Sequence, residues 1–405
     1  MDDDAFRRHG HEAVDWIARY LETLEERPVR ARVAPGKIDA QLARAAPEAG
    51  EPIESILADF ERIVLPGITH WQHPSFFAYF PANASPPSVV AEILTAGIAA
   101  QCMLWQTSPA ATEMETRVLD WLRKALGFPD GLVGIIQDSA SSATLAALLA
   151  ARERALDGRG NQEGLASLPP LAVYGSTEAH SSIEKAARIA GFGSKGLRLV
   201  ATDDAGRMRP EALAVAIAQD RASGILPAAV VATLGTTGIG AIDPLAGIAA
   251  VAKAENVYLH VDAAWAGSAL LLPEWRWMIE GADAVDSLVT NPHKWLGVQF
   301  DCAAHFVKDP GLLTGALSIQ PSYLTSSETG KVIDYRDWGI PLGRRFRALK
   351  LWFVLRAYGL DALRSMLRNH IAWTGELAGW IDAAPDFELV TPPSLALLTF
   401  RHVPA

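Results

Sequence analysis

The feature that most constrains the fold is a regular alternation of short apolar runs with helical segments between residues 86 and 350. Alternation of this kind is typical of a mainly parallel sheet with helices on both faces. The sequence therefore predicts an α/β fold with a mainly parallel, seven-stranded sheet flanked by helices. The candidate strands are Leu132–Gln137, Leu171–Tyr174, Leu197–Ala201, Ala228–Leu234, Val257–Val261, Ser287–Thr290 and Ala303–Val307.

Helical patterns lie on both sides of this region. Residues 4–26 and the stretch after Pro52 show apolar residues at helical spacing. Such helices have little core of their own to cover, so docking on another subunit is expected. We expect an N-terminal helical segment (1–85), a large α/β domain (86–350) and the start of a small C-terminal domain (351–405).

Within the C-terminal part, the sequence predicts two helices and a last strand that has no visible pairing partner after it. A separate polar segment inside the large domain is predicted to be a loop. The helices are Leu349–Leu360 and Leu363–Ile381, the strand is Leu395–Phe400, and the loop is Asp157–Glu163.

Composition excludes several classes of function. The net charge is -10 and no basic stripe is present, which argues against a nucleic-acid partner. Every apolar stretch is too short or too polar to span a bilayer. The two cysteines, Cys102 and Cys302, form neither a disulfide framework nor a metal-ligand spacing. We therefore expect a cytoplasmic protein.

In parallel sheets, ligands bind beyond the carboxyl ends of the strands, so the residues there are the candidates for chemistry. Three serines stand within Ser139–Ser142, between the first candidate strand and a helix. Free N–H groups and hydroxyls at a helix start make an anion site suited to a phosphate. The alternative interpretation is ordinary helix capping by serine.

Further strand ends carry polar side chains. His180 stands at the start of a helix. It is either a helix-capping residue or a group that stacks over a flat ring. Thr237 lies in a tight turn after another strand. Asp262 ends a buried strand, where a carboxylate is costly unless a cation meets it; a protonated pyridine nitrogen would answer that need.

Lys294 follows the next strand, between His293 and Trp295. Burial disfavours the ammonium form, so a buried lysine becomes a nucleophilic amine able to form a Schiff base. On its own, Lys294 is better explained as a surface lysine in a loop. Together, however, the strand ends supply a phosphate cradle, a stacking imidazole, a carboxylate and an amine. Those are the requirements of pyridoxal 5′-phosphate.

An aromatic segment, His70–Pro81, precedes the large domain. Its prolines rule out a regular helix or strand. It is either a cluster that fills a domain seam or the pocket wall for a flat, apolar ligand.

At this point the chain resembles the group II pyridoxal-phosphate-dependent amino acid decarboxylases, most closely the aromatic-L-amino-acid decarboxylases. The resemblance extends from the N-terminal helices to about residue 385. It rests on long motifs: His73-Pro-Ser-Phe-Phe-Ala-Tyr-Phe-Pro81, His260-Val-Asp-Ala-Ala264, Asn291-Pro-His-Lys-Trp295 and Ile340-Pro-Leu-Gly-Arg-Arg-Phe346. It implies fold type I, the aspartate-aminotransferase-like fold, as an intertwined homodimer with active sites at the subunit interface.

The resemblance also implies a role for each site residue. Lys294 is the Schiff-base lysine, Asp262 pairs with the pyridine nitrogen and His180 stacks on the ring. The phosphate end is held by Ala140, Ser141, Asn291 and His293, while Thr237 and Ala264 line the cofactor. Residues that match the family's substrate pocket are Trp71, Tyr79, Phe80, Pro81, Met103 and Gly343.

Tyr323 lies in a polar segment that matches the family's mobile catalytic loop, and it is the expected proton donor. Relatives with phenylalanine there, or asparagine at the stacking histidine, tend toward aldehyde formation, so Tyr323 and His180 favour decarboxylation. The expected substrate is tryptophan, phenylalanine, tyrosine or DOPA. Gly343 leaves room for a large ring, whereas Met103 stands where phenylalanine is common.

Three alternatives stay open. The chain is an aromatic aldehyde synthase, a decarboxylase of another amino acid such as histidine, or an inactive, truncated family member. The last is considered because family members continue for several tens of residues after Leu395–Phe400, whereas this sequence stops at Ala405.

Overall fold

The computed structural model describes residues 1–319, 328 and 330–404. The chain divides into two compact units, Met1–Pro81 and Ala82–Ala405. The predicted three-part division, with boundaries after residues 85 and 350, stays a prediction. Within the described ranges, no helix combines the length and the apolar character that crossing a membrane requires.

The N-terminal unit is built on helices α1 (Asp3–Glu22) and α2 (Ile53–Asp59). Asp2 caps α1 by accepting the Ala5 N–H at 2.8 Å. The chain continues after α2 through a wider turn, Phe60–Val64. Trp16 of α1 packs edge-on against Phe60, with ring centroids 5.2 Å apart. No residue of α1 is fully buried; on its apolar face Ile17 and Leu21 are half-buried and Val14 is exposed.

The second unit is organised around a seven-stranded sheet, as predicted. Its strands are β1 (Val133–Gln137), β2 (Leu171–Ser176), β3 (Leu197–Val200), β4 (Leu226–Thr233), β5 (Tyr258–Asp262), β6 (Ser287–Thr290) and β7 (Ala303–Val307). The strand order is β1-β7-β6-β5-β4-β2-β3. Strands β2 to β6 pair in parallel, and β7 runs antiparallel to both of its neighbours. The carboxyl ends of the other six strands therefore share one edge of the sheet.

Helices cover the sheet and connect its strands. They are α3 (Pro86–Ile98), α4 (Pro109–Leu126), α5 (Ala140–Ala155), α6 (Arg159–Glu163), α7 (Ser181–Ile189), α8 (Pro210–Ala222), α9 (Leu245–Ala254), α10 (Pro310–Leu317) and α11 (Arg347–Ala383). One core cluster packs α5 and α7 on β2, β4 and β5 through small apolar side chains such as Ala147, Ala187 and Ala229. The predicted loop Asp157–Glu163 is wrong over most of its length, because α6 covers Arg159–Glu163. An ion pair between Arg159 and Glu163, 2.8 Å apart at i,i+4 spacing, favours this short helix.

The two predicted C-terminal helices form α11, which is interrupted at Gly359, where φ is 68°. The last predicted strand has a partner that precedes it in the sequence and that the sequence analysis did not identify. Strand β8 (Phe387–Ser394) pairs antiparallel with β9 (Leu397–His402). Pro392 and Pro393 within β8 disguise it in the sequence, because proline is depleted in strands. A two-stranded sheet tolerates them, since both of its strands are edges.

Candidate active site

The carboxyl edge of the sheet collects the candidate residues. Asp262 is the last residue of β5, and β6 lies directly beside it, with Asp262 opposite Val289. Lys294 follows the end of β6. The prediction that Asp262 and Lys294 lie at neighbouring strand ends is therefore confirmed, whereas their chemical roles stay predictions.

Lys294 is a largely buried lysine. Burial lowers its pKa, and the carboxylate of Asp262 acts in the opposite direction. Within the described part of the chain, its Nζ takes part in no hydrogen bond. A buried amine with a lowered pKa loses its proton at lower pH than an ordinary lysine, and the neutral form is a nucleophile.

Backbone hydrogen bonds hold Asp262 and Lys294 in place. Asp262 Oδ1 accepts the Ala264 N–H at 3.0 Å. The Ala264 carbonyl accepts the Asn291 N–H at 2.8 Å, and the Asn291 carbonyl accepts the Lys294 N–H at 2.9 Å. Ala264, predicted to line the cofactor, thus links the turn after β5 to the turn after β6.

His293 is buried beside the lysine. Burial, followed by the charge of Lys294, lowers its pKa to about 4, so the ring is neutral at physiological pH. The ring Nδ1 of His293 accepts the Cys302 N–H at 2.8 Å, and the backbone N–H of His293 donates to the Cys302 carbonyl at 3.2 Å. His293 is therefore a neutral ring, and it can offer Nε2–H to a ligand.

The predicted anion site lies at the same edge. Ser139 caps α5, and its Oγ accepts the Ser142 N–H at 3.2 Å. The N–H groups of Ala140 and Ser141, in the first turn, have no acceptor within the helix. Strand β7 places this turn near Lys294, because Gln137 pairs with Ala303 while Thr290 pairs with Ala304.

His180 caps α7, directly after β2, and is exposed. Its Nδ1 accepts the Ser182 N–H at 3.2 Å, so a neutral ring carries its proton on Nε2. Thr237 is exposed in the turn after β4. In that turn the Trp265 indole donates to the Gly235 carbonyl at 2.6 Å.

Sequence reasoning missed a set of buried hydroxyls at this edge. The last residues of β2, β4 and β6 all carry a hydroxyl: they are Ser176, Thr233 and Thr290. None of these three hydroxyl oxygens has a hydrogen-bond partner among the described residues. The amide oxygen of Asn291 is also buried and unpartnered there. In the sequence, each of these residues is a polar residue at the end of an apolar run, and that pattern could have identified them.

These unpartnered atoms provide a test of fit for pyridoxal 5′-phosphate. An unpaired buried polar atom costs free energy, so such atoms at one edge indicate a polar ligand. The edge also offers free N–H groups for a phosphate, a carboxylate for a ring nitrogen and an amine for a carbonyl carbon. The residues present therefore fit this cofactor.

The predicted substrate residues fall in separate parts of the structure. Trp71, Tyr79, Phe80 and Pro81 belong to the N-terminal unit, where Trp71 stacks on Tyr79 with ring centroids 5.6 Å apart. Gly343 and Gln101 line a cavity of about 350 Å³ between the end of α3 and the start of α11. Met103 is half-buried, and its carbonyl accepts the Arg336 N–H at 3.0 Å. Tyr323 lies outside the described residues.

The fold and this edge define a pyridoxal-phosphate-dependent enzyme. Residues 35–403 match the pyridoxal-dependent decarboxylase conserved domain. The chain belongs to this family, so it is a carboxy-lyase that uses pyridoxal phosphate.

Individual relatives are similar over almost the whole chain. Phenylacetaldehyde synthase of Arabidopsis thaliana is 44% identical over 414 residues, covering 100% of this chain and 84% of that protein. Aromatic-L-amino-acid decarboxylase of Mus musculus is 44% identical over 417 residues, covering 99% and 86%. The crystal structure of Catharanthus roseus tryptophan decarboxylase in complex with L-tryptophan has a TM-score of 0.93 at 37% identity, covering 100% of this chain and 86% of that one.

Proposed function

We propose that this enzyme decarboxylates an aromatic L-amino acid to the corresponding arylalkylamine and carbon dioxide, with Lys294 as the residue that binds the cofactor carbonyl. The observation that carries the proposal is the buried Lys294 amine, which has a lowered pKa and lies beside Asp262 at neighbouring strand ends. The aromatic class is supported by relatives named for aromatic-L-amino-acid, tryptophan and tyrosine decarboxylation.

The proposed roles follow from the local chemistry. When bound, the cofactor supplies a protonated ring that accepts the electron pair left at the substrate α-carbon as carbon dioxide departs. Asp262 stabilises positive charge on the ring nitrogen, and His180 offers an imidazole face to the ring. Neutral His293, Asn291 and the first turn of α5 bind the phosphate end.

A proton must then reach the substrate α-carbon. From its place in the sequence, Tyr323 is the proposed donor; its position lies outside the described residues. Trp71, Tyr79, Phe80 and Pro81 are proposed to form an aromatic wall for the substrate ring. Gly343 and Met103, both in the second unit, are proposed as further residues that contact the substrate.

The first experiment identifies the lysine. Purified protein loaded with pyridoxal 5′-phosphate is reduced with borohydride, and the modified peptide is mapped by mass spectrometry. We expect the label on Lys294, its loss in Lys294→Ala and its retention in Lys308→Ala. A label on another lysine, or no bound cofactor, overturns the proposal.

The second experiment identifies the reaction. Carbon dioxide and amine are measured with tryptophan, phenylalanine, tyrosine, DOPA and histidine. We expect equal amounts of both products from at least one aromatic substrate. Turnover of histidine alone, or no turnover of any substrate, contradicts the proposed substrate class.

Aldehyde synthesis is the second candidate. It is favoured by the 44% identity to phenylacetaldehyde synthase and by the structural similarity to Rhodiola rosea 4-hydroxyphenylacetaldehyde synthase, with a TM-score of 0.92. Release of ammonia and hydrogen peroxide with the aldehyde would identify that reaction. Tyr323 and His180 favour the amine, so Tyr323→Phe is expected to shift products toward the aldehyde.

We also propose that the active form is a homodimer. No residue of α1 is buried, and the exposed side of α3 carries Val90, Ile93, Leu94 and Ile98. Exposed apolar residues along one side of a helix, as on α3, are typical of subunit interfaces. Sedimentation at micromolar concentration should give twice the mass of the chain; a monomer at that concentration contradicts the proposal.

A cytoplasmic location is part of the same proposal. Cys102 and Cys302 are buried and free, and burial raises the pKa of these thiols to about 11 and about 12. Free, unreactive thiols are typical of proteins in reducing compartments. Fractionation of the source cells should recover the activity with cytoplasmic markers.

A further inference from the structure

Lys350, in the first turn of α11, is a fully buried lysine that lies outside the groups assigned so far. Its Nζ lies 2.8 Å from Glu92 Oε1 and donates to Gln299 Oε1 at 3.0 Å. Taking an ammonium out of water is costly unless it is paired, and Glu92 meets that requirement. The contact with Gln299 therefore needs a separate explanation.

Gln299 belongs to the segment that carries Lys294. Residues 293–302, here called the lysine loop, leave the end of β6 and return to the start of β7. Two hydrogen bonds between His293 and Cys302 close the base of the loop. Lys294 is its second residue, and Gln299 lies toward its far side.

Two helices anchor the far side of the lysine loop. From α3 and the residue that precedes it, Ser85 donates its N–H to the Gly297 carbonyl at 2.7 Å, and Ser88 Oγ accepts the Gln299 N–H at 3.0 Å. From α11, Arg347 makes two bonds to Asp301, at 2.8 and 3.2 Å. Among these anchors, Lys350 supplies the completely buried charge.

We propose that Lys350 is a positioning residue for the cofactor site: through Gln299 it fixes the lysine loop, and with it the Lys294 amine and the His293 ring. The inference rests on the proposed role of Lys294. Lys350 itself would touch neither substrate nor cofactor.

The electrostatics of the loop base support this assignment. Burial and then the charge of Lys294 lower the pKa of His293; Asp301 acts to raise it, and the charge of Lys350 acts to lower it. A neutral His293 keeps the Nδ1 lone pair that accepts the Cys302 N–H. The same charge thus favours the hydrogen bond that closes the lysine loop.

Lys350→Met, Gln299→Leu and the double variant distinguish a positioning role of Lys350 from a contribution to stability alone. Lys350→Met keeps a similar volume, and Glu92 retains its ion pair with Arg345. Gln299→Leu removes the amide oxygen that accepts from Lys350. The double variant replaces both members of the Lys350–Gln299 hydrogen bond, so neither is left without the other. Each single variant should weaken cofactor binding about tenfold, the loss expected for one hydrogen bond to a charged group.

The double variant provides the sharpest result. If Lys350 acts through Gln299, the double variant should bind the cofactor no more weakly than either single variant, because the two changes remove one shared interaction. Independent, multiplying losses overturn the inference. Lys308→Met is the matched control, since Lys308 donates to the Asp283 carbonyl at the opposite edge of the sheet.

Three quantities are measured: the cofactor dissociation constant, the pH midpoint of the absorbance of lysine-bound cofactor, and the melting temperature of cofactor-free protein. We expect the first two to change in Lys350→Met and in Gln299→Leu. A lower melting temperature with an unchanged dissociation constant and midpoint indicates a structural role alone and overturns the inference. If Lys350→Met fails to fold, the same three measurements on Gln299→Leu test the inference, because Gln299 is partly exposed and its replacement is better tolerated.

The outcome also distinguishes this inference from the proposed function. Wild-type protein that binds no cofactor overturns both. Wild-type protein that binds through Lys294, with variants that bind equally well, overturns only the role of Lys350.

Discussion

Asp262 and Lys294 are joined by three consecutive hydrogen bonds that pass through the backbone of Ala264 and Asn291. The two strands that carry them, β5 and β6, are paired in parallel. The position of the Asp262 carboxylate relative to the Lys294 backbone is therefore fixed by the paired strands and by these turns. An active site that must hold a ring between these two groups gains its precision from that arrangement.

Asp262→Asn tests the carboxylate while keeping the structure. Asparagine still offers an oxygen to the Ala264 N–H, so the turn should persist. The negative charge opposite the ring nitrogen is lost, and we expect kcat to fall on the order of a hundredfold, as when one preorganised electrostatic group is removed. Steady-state kinetics with the cofactor kept saturating measures this.

Asp243→Asn is the control for that variant, because Asp243 is another buried carboxylate, which accepts the N–H groups of Met208 and Thr233. Its kcat should stay close to that of wild type. Equal losses in both variants would mean that Asp262 acts only as a structural acceptor.

Lys294 should capture the cofactor at a pH below the range of ordinary lysines. Burial lowers its pKa from the usual 10.5, so the neutral amine is present at lower pH. Asp262 favours the ammonium form and opposes this shift. The rate of cofactor capture by cofactor-free protein should therefore rise with pH, with a midpoint below 10.5. In Asp262→Asn the midpoint should move lower still; a move upward would contradict the electrostatic account.

The residues at the strand ends were predictable because their positions follow from the apolar runs. Asp262 stands directly after its apolar run, Lys294 and His180 follow theirs within a few residues, and parallel strands bring such positions to one edge. The chemical nature of the side chains at these positions then indicated a ligand with a pyridine ring and a phosphate. No side-chain contact was needed for that step.

Contacts between distant parts of the chain were not predictable. Lys350 meets Gln299 and Glu92 only because α11, the lysine loop and α3 pack together, and no local pattern encodes that packing. The insertion of antiparallel β7 between β1 and β6 is of the same kind. Ser176 was missed for a simpler reason: the predicted strand ended at Tyr174, two residues too early.

Gly343→Ser should change substrate preference. A Cβ at Gly343 would lie 3.2 Å from Gln101 Nε2, a close contact, and a hydroxyl would further reduce the cavity of about 350 Å³. If this cavity receives the substrate ring, kcat/KM for tryptophan should fall about tenfold relative to that for a smaller ring, as for one extra group in a pocket. Gly343→Ala separates size from polarity. Equal losses for all substrates would contradict a role in selectivity.

His305 on β7 carries a prediction about stability. Its ring is completely buried, and within the described residues both ring nitrogens lack a hydrogen-bond partner. Burial lowers its pKa from the usual 6.5 to about 3. As the pH falls through this window, the unfolded chain binds a proton and the folded chain does not. The free energy of unfolding must therefore decrease with falling pH.

His305→Phe should remove this contribution while keeping a ring against His260, whose centroid is 5.9 Å away. The neutral ring nitrogens lose nothing by the change, because they have no partner to leave unpaired. We expect unchanged or higher stability at about pH 7.5, and a smaller loss between about pH 7.5 and 5 than in wild type. Urea unfolding at each pH measures both. His11→Phe, at an exposed histidine, should keep the wild-type pH dependence; an identical dependence in His305→Phe would show that this ring does not contribute to acid sensitivity.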